Sequence, residues 1–129
     1  MVYTEYNKMT KKEITSYQFA ERIKSALIIS SKMLAVVETL KDSELELELE
    51  GAKKTMFAFF DGLFTETGIA LNATGMQEFM QVEEKVMEVK RKIEEGDYDG
   101  AYTNLGRAVS HATTACDRTM RTLIEKGLL

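Results

Sequence analysis

The sequence predicts an all-α protein: one domain over residues 1–129, folded as an up-down-up-down antiparallel four-helix bundle with long helices and short connections. Three observations lead there. The 129 residues contain no proline, and most of the eight glycines fall near proposed element ends, which is the composition of long helices. Apolar residues recur at steps of three and four through four separate stretches, the period of one face of a helix. The breaks between those stretches are a few residues each, and short connections make sequential helices antiparallel neighbours.

The first helix is expected over residues 10–40. Thr10-Lys11-Lys12-Glu13 fits a capping box, in which a hydroxyl and a carboxylate each satisfy an otherwise unpaired N–H of the first turn. Its apolar residues, from Phe19, Ala20, Ile23 and Leu27 through Ile29, Met33, Leu34, Val36, Val37 and Leu40, span about 200° of the helix, more than one neighbour can cover. The second is expected over 44–71, opened by a capping box of Ser43 with Glu46, with Leu45, Leu49, Ala52, Met56, Phe59, Phe60 and Leu63 as its seam. Residues 44–50 also alternate Glu and Leu, as a half-buried edge strand would. Helix is favoured because Leu and Glu are helix formers and the seam continues in phase into Met56; Leu47 is then left facing outward.

Asn72-Ala73-Thr74-Gly75 reads as the next break, with Thr74 and Gln77 as a third capping box. The third helix, 75–95, carries the narrow seam Phe79, Val82, Val86, Val89 and Ile93 and ends at Gly96. Asp97 caps the fourth, 98–126. Ala101, Leu105, Ala108, Ala112, Ala115, Cys116, Thr119 and Leu123 lie on one side of it, with Arg107, His111, Thr114, Arg118 and Arg121 on the other.

The third helix comes out roughly seven or eight residues shorter than the others, a deficit of about 10 to 12 Å. The start of the second helix, with Leu45, Leu47 and Leu49, should therefore project past one end of it. The tail of the fourth, with Leu123, Ile124, Leu128 and Leu129, should project past the other, where Val2, Tyr3 and Tyr6 are placed to cover it. Nothing in the chain covers the first overhang. A homo-oligomer, specifically a dimer, is expected there, using Ile29 and Val36 of helix one with Leu45, Leu47 and Leu49.

Composition excludes several function classes. No apolar run approaches the length of about 18 residues that a membrane span needs. The N-terminal MVYTEYNKMTKKE lacks an apolar targeting core, so a cytoplasmic location is expected. Net charge is −4, with seven cations against four anions over residues 1–41 and two against seven over 42–72. That balance disfavours general nucleic-acid binding while leaving room for a local basic patch. The single cysteine, Cys116, falls on the apolar side of its helix and reads as a buried, inert thiol. A di-metal bundle site needs two Glu-x-x-His pairs, and the one histidine, His111, has Ala108 three residues before it. Haem attachment, zinc spacing, phosphate-binding glycine loops and nucleophile elbows are all missing, so neither metal nor cofactor is expected.

Three surfaces are candidates. Arg107, His111, Arg118 and Arg121, with Ser110 and Thr114 near them, form the one cluster suited to an anion or nucleic acid; the plain alternative is a solvated face, with Asp117 pairing Arg121. Met76, Met80 and Met87 lie beside the valine seam as a candidate partner groove or as core. The third is the oligomer face. The stretch Glu94-Glu95-Gly96-Asp97-Tyr98-Asp99 with Ala101, followed by Ala108, Val109 and Ala112, resembles the helix-turn-helix of small prokaryotic HEPN bundles, and tetratricopeptide-like helix pairs share its local pattern. HEPN nucleases act through an Arg and a His at a dimer interface. The three residues between Arg107 and His111 are fewer than that motif has, so the resemblance implies a degenerate, non-catalytic member. The reading that asks least of these residues is a self-associating, non-catalytic binding or scaffold bundle. The alternatives are a HEPN-like nucleic-acid or nucleotide-handling bundle, sunk if the parent cleaves no RNA, and a small-ligand bundle, whose haem version predicts a coloured protein.

Overall fold

The computed structural model describes residues 2–42 and 44–128, with side chains from residue 11 onward. It contains α1 (Val2–Leu40), α2 (Glu46–Thr74), α3 (Gln77–Glu95) and α4 (Tyr98–Glu125), and no strand among the described residues. Each helix packs on its sequence neighbour, α4 returns to α1, and the diagonal pairs stay apart, so four helices close around one core. Contacts between helices fix an antiparallel register. Arg22 at the middle of α1 pairs with Glu66 in the second half of α2, Glu78 at the start of α3 with Arg118 late in α4, and Lys126 with Glu13. At the opposite end Lys41 lies 5.2 Å above the Tyr98 ring.

The core follows the four seams. Ile23, Leu27, Leu34 and Val37 come from α1, Met56 and Phe60 from α2, Phe79, Val82, Val86, Val89 and Ile93 from α3. α4 adds Ala101, Ala108, Ala112 and Ala115, small side chains that let the β-branched ridge of α3 approach closely. The alternation of residues 44–50 does not make a strand. Residues 46–50 are the first turns of α2, where Leu49 packs against the core and Leu45 is the N-cap.

Three boundaries differ from the sequence expectation. α1 starts at Val2 rather than Thr10: no proline or glycine interrupts residues 2–9, so the helix runs through the proposed capping box. The Ser43 box lies outside the described residues. α2 continues to Thr74 rather than 71, because Gly75 is the first residue to leave helical geometry, with φ 68° and its N–H on the Leu71 carbonyl at 2.7 Å. Thr74 consequently caps no helix with Gln77. Its hydroxyl bonds back to the Ala70 carbonyl at 2.7 Å and accepts the Met76 N–H at 3.1 Å, and Met76 is the N-cap of α3. The end of α3 and the start of α4 follow expectation. The Asp97 carboxylate accepts the Gly100 N–H at 2.9 Å, and Gly96 and Gly127 take positive φ in paired-bond terminations.

α3 has 19 residues against 29 in α2 and 28 in α4. The shortfall of about 14 Å appears at both ends. Leu47 is 89% exposed at the start of α2. In α4, residues beyond Arg118 run past the start of α3, with Leu123 buried and Ile124 and Leu128 exposed. Val2, Tyr3, Tyr6 and Leu129, expected to cover or extend that end, lie outside the described side chains.

Candidate functional site

The basic residues of α4 differ in what they touch. Arg118 points along the α3 side and is held by Glu78. Arg107 and Arg121 are exposed, His111 is half-buried, and none of the three makes a hydrogen bond or ion pair among the described residues. Ser110 and Thr114 are tied to each other through the helix, the Thr114 hydroxyl donating to the Ser110 carbonyl at 3.0 Å. The Arg107 and Arg121 guanidiniums are open to solvent, and among the described residues no carboxylate hydrogen-bonds to His111 to orient it for proton transfer. Among the described residues no group of three or more His, Cys, Asp or Glu side chains is placed to hold a metal ion, and no helix is long and apolar enough to cross a membrane.

Cys116 is buried on the α1 side of α4. Burial first, and the nearby Glu21 carboxylate second, push its thiol up to about 11. The same α1–α4 seam raises Tyr17, again chiefly by desolvation and then by Glu21. A thiol protonated at neutral pH is not a nucleophile.

The methionines separate. Met76 is buried, facing the end of the bundle, while Met80 and Met87 are exposed on α3. Met87 lines a shallow depression with Phe64, Lys90, Arg91 and Glu94, where Lys90 also sits 5.3 Å over the Phe57 ring.

The α1–α2 face is different in kind. Ile29 and Val36 stand exposed on α1, with Leu47 and Ile69 on α2 and Leu45 at its N-cap. Between the two helices lie two open hollows along one seam: about 470 Å³ beside Ala26, Ala58, Phe59 and Gly62, and about 260 Å³ beside Met33, Val36, Ala52 and Thr55. A methyl group built at Gly62 would meet nothing within 4 Å. Glycine there has no packing reason inside a single chain.

One site was not foreseen from sequence. Where α3 begins late and α4 runs on, a cavity of about 340 Å³ opens between α1, α4 and the α2–α3 connection. Ser16, Thr74, Thr119 and Thr122 line it, with Glu13, Lys12 and Arg118 at its margin and Met76 as an apolar wall. The available signal was polar residues in apolar register: Ser16 shares the core face of α1, and Thr119 the core side of α4.

Comparison with family models, with curated proteins and with solved structures finds no significant match for this chain.

Proposed function

We propose that this chain is a non-catalytic helical-bundle scaffold that acts as a homodimer through its α1–α2 face. The observation that carries the reading is the combination on that face of exposed apolar knobs, Ile29 and Val36, with largely apolar hollows beside Phe59 and Met33. Knob and hollow on one surface are what an isologous two-fold contact requires, since each copy supplies both. Charge is compatible with a second copy as the occupant. The acidic start of α2, with Glu44, Glu46, Glu48 and Glu50, lies at one end of the seam, and residues 1–41 carry an excess of three positive charges spread along their length, onto which the α2 start of a second copy can be laid.

Light scattering tests it. The parent is expected at twice 14.6 kDa, and Ile29→Glu with Val36→Glu as a folded monomer. The same loss is expected, more weakly, for Leu45→Glu with Leu47→Glu, which lie at the edge of the face. A parent that stays monomeric at about 100 μM, well above the dissociation constant of a functional homodimer, removes the reading.

A further inference from the structure

We propose that the cavity at the α2–α3 end of the bundle binds a small zwitterion of the amino-acid type, its ammonium on Glu13 and the adjoining hydroxyls, its carboxylate on Lys12 and Arg118. This site lies apart from the α1–α2 face and does not depend on dimerisation.

The floor of the cavity can only accept hydrogen bonds. The hydroxyls of Ser16, Thr119 and Thr122 each donate their proton one turn back, to the carbonyls of Lys12 at 2.8 Å, Ala115 at 2.8 Å and Arg118 at 3.0 Å. A hydroxyl whose proton is committed offers lone pairs alone. Glu13 adds a charged acceptor. Its Oε1 is held by Lys126 at 2.5 Å, while its Oε2 is buried with no hydrogen-bond partner. A buried carboxylate oxygen left unmatched is costly, and an incoming N–H donor relieves that cost. An ammonium carries three protons, enough for Glu13 Oε2 and two of the hydroxyls.

A bare cation is nevertheless the wrong ligand. Lys12, Arg118 and Lys126 outnumber Glu13 and Glu78 at this end, and Lys12 makes no ion pair among the described residues. Among these described residues the balance is one positive charge in excess, so a ligand with its own anion is favoured. Arg118 spends one N–H on Glu78 and keeps others to offer, and Lys12 sits on the same margin. Donor-seeking floor and anion-seeking rim line one cavity of about 340 Å³, which matches a small molecule that carries both an ammonium and a carboxylate. The volume lies at the lower end of the range of about 300–1,000 Å³ typical of ligand pockets, and Met76 gives an apolar wall for a side chain. The bundle itself does not need the buried hydroxyls of Ser16 and Thr119, since an apolar residue at either position would pack without a polar atom to satisfy.

The test is an NMR titration of the full chain with each standard amino acid at about 5 mM, a concentration that detects millimolar affinity, following the amides of Ser16, Thr119 and Thr122. Movement of those amides with at least one amino acid is expected. The decarboxylated amine and the deaminated acid of that same amino acid should each bind about tenfold or more weakly, the loss of one charge-assisted contact. Lys12→Ala, exposed and outside the core, and Thr119→Val, which keeps the side-chain shape, should each weaken binding. Glu13→Gln should weaken it most. No shift with any amino acid overturns the proposal, and so does an amine or acid that binds as tightly as its parent amino acid.

Discussion

Replacing Gly62 by alanine separates what the single chain needs from what a dimer needs. Glycine within a helix is less favourable than alanine by about 0.8–1.0 kcal/mol, because more backbone freedom is lost on folding. At Gly62 the added methyl meets nothing within 4 Å, so no steric term offsets that gain. The isolated fold should become more stable by about 1 kcal/mol, which for a chain of this size raises the melting temperature by about 3–5 °C. In the proposed dimer the sign reverses. Gly62 lines the larger α1–α2 hollow, and filling a close helix contact with an extra methyl costs about 1–3 kcal/mol, or about 5- to 150-fold in dissociation constant. Guanidinium unfolding below the dissociation constant reads the first effect, and a light-scattering concentration series the second. A stabilised chain whose self-association is unchanged would refute the placement of Gly62 at the contact. A chain that loses stability when dilute would refute the reading of open space around it.

Four further outcomes follow from the geometry. Cys116 should react with a thiol reagent only slowly in the folded state at pH 8 and completely after unfolding. Its folded pKa of about 11 lies above the ordinary 9.0, so the stabilisation linked to the protonated thiol is full below pH 9 and is lost as pH rises from 9 toward 11, which denaturation at pH 8 and pH 10.5 would detect. Asp97 is held below the usual carboxylate range, first by the Gly100 N–H and then by Lys92, so its contribution is present at neutral pH and lost as acid protonates it. Asp97→Ala should lower the neutral-pH melting temperature by a few degrees, with the difference vanishing near pH 2. Gly100→Ala should reproduce that loss rather than show the usual alanine gain, because its methyl would fall on the Asp97 carboxylate and the Lys92 side chain. Phe60→Ala, at a fully buried position, should cost about 3–5 kcal/mol, read as a large fall in the midpoint of denaturant unfolding; a change under about 1 kcal/mol would refute its place in the core.

Much of the fold was legible because helix periodicity is local. Val82, Val86, Val89 and Ile93 can share a face only at 3.6 residues per turn, and Asp97 before a helix and Gly96 after one have chemical reasons of their own. Capping boxes were less informative. Thr10-x-x-Glu13 and Thr74-x-x-Gln77 carry the right residues, yet the backbone stays helical through the first, and Gly75 with Met76 moves the start of α3 past the second. A capping pattern describes a start that is available, and whether the chain stops there depends on what precedes it. Of the candidate sites, the outward position of Leu47 and the core position of Cys116 were readable from helix angle alone. The grouping of Met76 with Met80 and Met87 was not, since Met76 precedes the helix and turns inward.

The sequence alone determined four helices, their order, their seams and the short third helix, all set by interactions within a few turns of one chain segment. Tertiary structure decided what that short helix leaves behind. Lys12, Thr74 and Arg118 are far apart along the chain and share no local pattern; they meet because α4 outruns α3 and α1 closes against it. Which hydroxyls are already spent, and which carboxylate oxygen is left without a donor, follow from that meeting, because hydrogen-bond satisfaction belongs to neighbours in space rather than in sequence.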